Sequence, residues 1–201
     1  MTESVNAQYP TSISPDGARL VFTEIATATA AGDVLQLGLD RTHAVTPLVQ
    51  TPFNERNGEV SPDGRWLAYE ANNSGPFEIY VRPFPDVDAG GRWQPSSGGG
   101  TRPVWARNGQ ELFYLDLENR LTAVPVQTSA GTFAFGSAAK VLDTAYAEAL
   151  VSSRPYDVSA DGKRFLMVKD NLTVDPAATP GAFVVVLNWF DELKAKLSAG
   201  R

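Results

Sequence analysis

Apolar residues through the repeating units of this chain fall in short clusters separated by Gly, Pro, Asn, Asp and Ser, with no helical spacing. That rhythm predicts strands joined by turns. One phrase recurs: "SPDGARLVFTE" from Ser14, "SPDGRWLAYE" from Ser61 and "SADGKRFLMVK" from Ser159. A fourth, looser copy is "ARNGQELFYL" from Ala106. Aligned on Asp16-Gly17, Asp63-Gly64, Asn108-Gly109 and Asp161-Gly162, the copies stand 47, 45 and 53 residues apart. Periods of roughly 40–50 residues with strand composition are those of four-stranded propeller blades.

Asp-Gly and Asn-Gly tolerate positive φ, as tight hairpin turns demand, and Pro15 and Pro62 preset φ just before them. The strand after each turn has adjacent apolar columns, Leu20/Leu67/Leu112/Phe165, Val21/Ala68/Phe113/Leu166 and Phe22/Tyr69/Tyr114/Met167. Both of its faces are therefore expected to be buried. Before each turn lies a segment expected to be innermost: Tyr9–Ile13, Arg56–Val60, Thr101–Trp105 and Arg154–Val158. Third strands are expected at Asp33–Leu39, Phe77–Phe84, Leu121–Val126 and Ala182–Trp189. Weaker outer strands are expected near Ala44–Gln50, Arg92–Ser97 and Ala138–Asp143. The expected fold is all-β, a propeller of about four blades spanning approximately 8–55, 56–100, 101–150 and 151–190. A short helix over 191–198 follows, with Asp191 as its N-cap.

Charge and composition narrow the function. The chain has 201 residues, a net charge of −6, one histidine and no cysteine. An acidic balance gives no support to nucleic-acid binding, and the longest apolar run, Ala182–Phe190, is too short to span a bilayer. Without cysteine there is no disulfide, thiolate nucleophile or thiolate metal site. The N-terminus has no basic stretch followed by an apolar one, so a cytoplasmic location is the default expectation, and an extracytoplasmic one holds if the chain is part of a larger exported protein. His43, in a loop before an outer strand, and the absence of a Gly-x-Ser-x-Gly elbow argue against a Ser–His–Asp hydrolase.

The words "SPDGRWLAYEANNSGPFEIYVRPFP", "GGTRPVWARNGQELFYL", "YDVSADGKRFLMVK" and "VVLNWFDELK" resemble the WD-type repeats of the TolB-like β-propeller family. Their order resembles the C-terminal half of propellers that in bacteria follow serine/threonine kinase domains, and the turn phrase is also similar to that of prolyl-oligopeptidase-like propellers. The chain carries neither a kinase motif nor a hydrolase domain. The resemblance implies a protein-interaction or ligand-sensing module rather than a catalyst. Such propellers usually close with six or more blades. Three assemblies follow: four blades closing alone, a homodimer through open blade faces, or a fragment of a larger sensor-kinase or peptidase propeller.

Three arginines are candidates for a positive channel mouth. Arg56 and Arg154 share one column, and Arg102 lies one position away. With Tyr9, Tyr156 and Asn57 they would suit a protein or a small anionic ligand. The alternative is that each arginine pairs with a local acid such as Glu55, Glu59 or Asp157. A calcium-dependent lactonase or esterase would draw on Glu59, Asn57 and Asp157, since calcium takes oxygen ligands, but few ligands converge. No cofactor is otherwise implied. The tryptophans Trp66, Trp93, Trp105 and Trp189 read as inter-blade packing, and "SSGGG" (Ser96–Gly100) reads as a flexible connection.

Overall fold

The structure, a computed structural model, describes residues 4–27, 31–129, 131–142 and 154–168. All regular structure among them is β, in antiparallel sheets laid out in chain order. The first sheet is β1 (Ala7–Ile13), β2 (Arg19–Ile25), β3 (Gly32–Gly38) and β4 (Val45–Val49). The second is β5 (Glu55–Val60), β6 (Trp66–Ala71) and β7 (Glu78–Pro83). The third is β8 (Thr101–Trp105), β9 (Glu111–Leu115), β10 (Leu121–Ser129) and β11 (Thr132–Phe135), with β12 (Ala139–Lys140) also on β10. The fourth, among the described residues, is the pair β13 (Tyr156–Val158) and β14 (Phe165–Met167). The expected strand Ala182–Trp189 and the helix over 191–198 lie outside the described residues.

The recurrent phrase builds one turn four times. Gly17, Gly64, Gly109 and Gly162 adopt φ of 69, 70, 69 and 69°, each donating its N–H to the carbonyl three residues earlier. Only the glycine takes positive φ; the Asp or Asn before it does not. The turn is thus a type I turn ending on a left-handed glycine, with Pro at its second position in two copies. The Asp carboxylate accepts from the backbone two residues on, at 3.0 Å for Asp16 and 3.1 Å for Asp161, and from the serine hydroxyl two residues before. Those bonds hold the Asp16 and Asp161 carboxyls below the usual range. In the third copy Asn108 plays the same part, accepting from Gln110 at 3.0 Å.

Three hydrophobic cores lie between successive sheets. Val21, Val34 and Val49 meet Leu67, Tyr69 and Tyr80. Trp66, Ala68 and Ile79 meet Trp105, Leu112, Tyr114 and Phe133. Phe113, Leu115 and Leu121 meet Tyr156, Val158 and Phe165. Every residue of β6 is buried, because a strand between two neighbours has no solvent face. Trp66, Trp93 and Trp105 gather around the Phe133 ring at 5.3, 5.5 and 6.2 Å, so these tryptophans pack between sheets as expected. Trp189 lies outside the described residues.

The first sheet's outer strand, β4, falls within the expected Ala44–Gln50, but the edges of the next two sheets depart from expectation. Arg92–Ser97 forms no strand; one bridge, Val81 to Trp93, is made before Pro95 removes the next donor. The third sheet's outer edge is divided between β11 and the two-residue β12. Ser96–Gly100 is not a flexible connection either. The Ser96 hydroxyl donates to the buried Glu78 carboxylate, Gly99 N–H donates to it at 2.8 Å, and Gly100 N–H bonds the Phe77 carbonyl at 2.7 Å. At Gly99, φ is 107° and a Cβ would stand 2.3 Å from Leu117, so only glycine fits.

Neighbouring sheets are also tied by polar bonds at one repeated position. The inner strands β5 and β8 bulge at Asn57 and Arg102, which take φ of 55 and 56°. Each residue stands six before its turn Asp63 or Asn108. The bulge turns its N–H toward the preceding sheet. Asn57 N–H donates to Thr23 Oγ1 at 3.0 Å, and Arg102 N–H donates to the Glu70 carboxylate. Thr23 and Glu70 share a column, seven residues after Asp16 and Asp63. In the fourth unit the bulge position is Pro155, which has no N–H, and the matching acceptor column holds Leu115.

Candidate functional site

β1, β5, β8 and β13 are the first strands of their sheets, and they converge on a cleft. The cleft has a larger part of about 660 Å³ and a smaller one of about 280 Å³, which share Pro10, Thr11, Glu59, Arg154 and Asp157. Ile13, Leu20, Val104, Trp105 and Val158 give the larger part an apolar wall, with Ile13 60% exposed. Arg107 stands exposed at its edge. Asn57, Arg102 and Tyr156 line the smaller part.

Of the residues expected at a channel mouth, Arg102, Arg154, Tyr156 and Asn57 therefore share a cavity, whereas Arg56 and Tyr9 line neither part. Arg56 is engaged elsewhere. Its guanidinium, 11% exposed, donates to the fully buried Glu70 carboxylate and lies 4.0 Å from the centre of the Phe77 ring. The local acid it meets is its cross-strand partner Glu70, not Glu55 or Glu59. Arg102 is buried, with its Nη1 donating to Thr101 Oγ1 at 3.2 Å. Tyr156 donates its hydroxyl to the Arg102 carbonyl at 2.7 Å, and burial pushes its phenol well above the ordinary range.

Arg154 and Glu59 bridge the fourth and second sheets across the cleft, Nη1 to Oε2 at 3.0 Å, with Asp157 3.9 Å from Nη2. Burial pushes the Glu59 carboxyl up to about 7, against the pull of the Arg154 charge. Its side chain keeps 18% exposure, so the crowding comes from surrounding atoms rather than complete closure. Glu59, Asn57 and Asp157 do line one cavity, but the Glu59 carboxylate already meets the Arg154 guanidinium. Among the described residues no group of three or more His, Cys, Asp or Glu is placed to hold a metal ion. His43 is exposed in the β3–β4 loop.

The Glu59 shift has a pH consequence. Its folded-state pKa, about 7, lies above the ordinary carboxyl value of 4.5, so the folded chain retains a proton that the unfolded chain releases. The resulting stabilisation is full below pH 4.5 and is lost as pH rises through 7. Glu59→Gln is neutral at every pH. Its melting temperature relative to the parent is therefore expected to rise between pH 5 and pH 8, read by thermal melts in matched buffers. A difference that stays flat would mean Glu59 ionises as an ordinary surface carboxyl.

Arg107, Thr11, Ser12 and Ile13 were not singled out from the sequence as site residues. A signal for Arg107 was present: it holds the column before the turn Asp or Asn where two other units carry Pro15 and Pro62. Arg107, Thr11, Ser12 and Ile13 all line the larger cavity.

No family model matches the chain, and no curated protein matches it in sequence. Solved structures do resemble it. A puromycin-hydrolysing peptidase from Mycobacterium tuberculosis superposes with a TM-score of 0.56 at 19% identity, over 78% of this chain and 27% of that one. A protein described as TolB from Agrobacterium tumefaciens gives 0.53 at 17% identity, over 67% and 50%. A protein described as a 6-phosphogluconolactonase from Bacteroides uniformis gives 0.52 at 16% identity, over 82% and 48%. The fold is therefore an all-β propeller fold of the TolB-like kind. The chain spans half or less of the length of each of these structures. No helix among the described residues is long and apolar enough to cross a membrane.

Proposed function

We propose that the chain is a non-catalytic binding module and that its site is the cleft between the first strands of the four sheets. One observation carries this reading: the cleft joins an apolar wall, with Ile13 exposed, to the cations Arg107 and Arg154 on a chain of net charge −6. An apolar surface bordered by guanidinium groups suits an acidic partner with apolar character, a protein segment or a small anion. The engagement of Glu59 by Arg154 favours this reading over a calcium-dependent lactonase. The chain spans half or less of each similar structure, which is compatible with its forming part of a larger propeller.

The test uses a display of immobilised acidic, neutral and basic peptides. Capture of acidic, apolar peptides by the parent, lost in Arg107→Glu and in Ile13→Asp, is the expected result. No selective capture, or capture that both variants retain, would overturn the cleft as the binding site.

A further inference from the structure

We infer that two copies of this chain join end to end, the fourth sheet of each packing against the first sheet of the other, so that a two-fold pair closes one ring. Such pairing is independent of the cleft's role as a binding site. Two residue columns seal the three seams within the chain. The residue three before the turn Asp or Asn packs toward the preceding sheet: Val60, Trp105 and Val158 are 6, 4 and 7% exposed. In the first unit that residue is Ile13, 60% exposed. The residue five after the turn Asp or Asn packs toward the following sheet: Val21, Ala68 and Phe113 are 0, 0 and 2% exposed. In the fourth unit it is Leu166, 75% exposed. The first sheet thus carries an unmatched preceding face and the fourth an unmatched following face. Within one chain these faces do not cover each other, as the exposure of Ile13 and Leu166 requires.

Both faces are apolar. Directly opposed residues of an antiparallel sheet share a face, and Ile13, Leu20, Leu37 and Val45 stand opposite one another across all four strands of the first sheet. Val21 and Val34 point to the second sheet, so this row lies on the other face. The next row on that face, Pro10, Phe22, Leu35 and Pro47, is apolar as well. In β14, Phe165 and Met167 pack toward the third sheet, which leaves Leu166 and Val168, 53% exposed, on the opposite face. Apolar surface gathered in this way marks an association site.

Polar groups select what covers these faces. A unit whose bulge carries an N–H needs an acceptor from the sheet before it, as Asn57 needs Thr23 and Arg102 needs Glu70. Pro10 stands at the bulge position of the first unit and has no N–H to donate, and Val168 stands at the acceptor position of the fourth and has no side-chain acceptor. That combination repeats Pro155 and Leu115 between the third and fourth sheets. The fourth sheet is therefore a fitting predecessor for the first, and a second copy of the chain supplies it. Length agrees. The chain covers 50% of the protein described as TolB and 48% of the one described as a 6-phosphogluconolactonase, so two copies supply the extent of one such match. Each copy gives its fourth sheet to the other's first, so one two-fold axis relates two identical seams and the ring closes. Ile13 would then line the cleft from a covered seam, as Val60, Trp105 and Val158 do.

Light scattering after size exclusion reads the mass of the whole chain in solution. The expected value is twice 21.6 kDa. Leu166→Arg and Leu37→Asp alter the two sides of the seam, and neither residue belongs to the three internal cores, so each variant should fold and show half the parent mass. Mixed in equal amounts, the two variants should regain the paired mass, because a mixed pair has one intact seam and places Arg and Asp together in the other. Thermal melts check that each variant is folded; should Leu37→Asp fail to fold, Leu166→Arg alone decides. A parent mass of 21.6 kDa overturns the pairing, as does a doubled mass that Leu166→Arg retains, or a mixture of folded variants that stays at the single mass. Masses above two copies overturn the closed ring, since seams that do not close run on as a filament. Neither Leu37 nor Leu166 lines the cleft, so peptide capture by these variants reports on the binding module separately from the pairing.

Discussion

Arg56→Ala is expected to lower the unfolding free energy by about 3–5 kcal/mol, the usual cost of removing one partner from a buried ion pair. Glu70 has no exposed side-chain surface, and in the variant its carboxylate would keep only the Arg102 N–H as donor. Contact with the Phe77 ring is lost as well. Urea denaturation of the parent and variant measures the difference. Arg56→Met with Glu70→Leu should regain much of the loss, since an apolar pair needs no compensation, but not all of it, because the Arg102 N–H then has no acceptor. A cost below about 1 kcal/mol for Arg56→Ala would place the pair among ordinary surface ion pairs. It would also return Arg56 to the candidates for the channel mouth.

Trp105→Ala should be as damaging. The indole is 4% exposed, belongs to the core between the second and third sheets, and meets Phe133 edge-on at 6.2 Å. Its Nε1 donates to the Glu59 carbonyl at 3.0 Å, tying β8 to β5 where both line the cleft. Truncation of a buried Trp costs about 3–5 kcal/mol, and at about 2–4 °C per kcal/mol for a chain of this size the melt should fall by roughly 10 °C. Trp105→Phe separates the parts: most of the apolar contact stays while the bond to Glu59 goes, at about 1 kcal/mol. Equal losses in both variants would mean the hydrogen bond, not burial, holds the second and third sheets together.

The repeat, the turn and the first three strands of each of the first three sheets were legible in the sequence because each rests on local rules. The Asp-Gly turn depends on four adjacent residues, and the doubly buried strand announces itself by unbroken apolar columns such as Leu67, Ala68 and Tyr69. Of the outer edges, β4 was legible but the edge of the second sheet was not, since edge strands carry little apolar signal and proline decides where they stop, as at Pro95. Glycine content suggested looseness at Ser96–Gly100, yet the buried Glu78, distant by some twenty residues, gathers that segment's N–H groups. The candidate site was half legible. Columns placed Arg102, Arg154, Tyr156 and Asn57 at one end of the inner strands, and they do share a cavity. Columns could not show that Arg56 turns to its cross-strand neighbour, because which way a side chain leaves a bulge depends on the bulge itself.

The bonds between sheets make the order of the units directional. Asn57 and Arg102 each need an acceptor from the unit before, and Thr23 and Glu70 provide it; Pro155 needs none, and Leu115 offers none. Pro10 in the first unit and Val168 in the fourth repeat the second pattern. The units are therefore keyed on their flanks and are not interchangeable. Transplanting the second unit to follow the third would set an N–H against Leu115, and moving the fourth to follow the first would leave Thr23 facing a proline. Shuffled chains of the same four units would keep every hydrophobic column and still join badly, so recombination between units is constrained by single atoms at their seams.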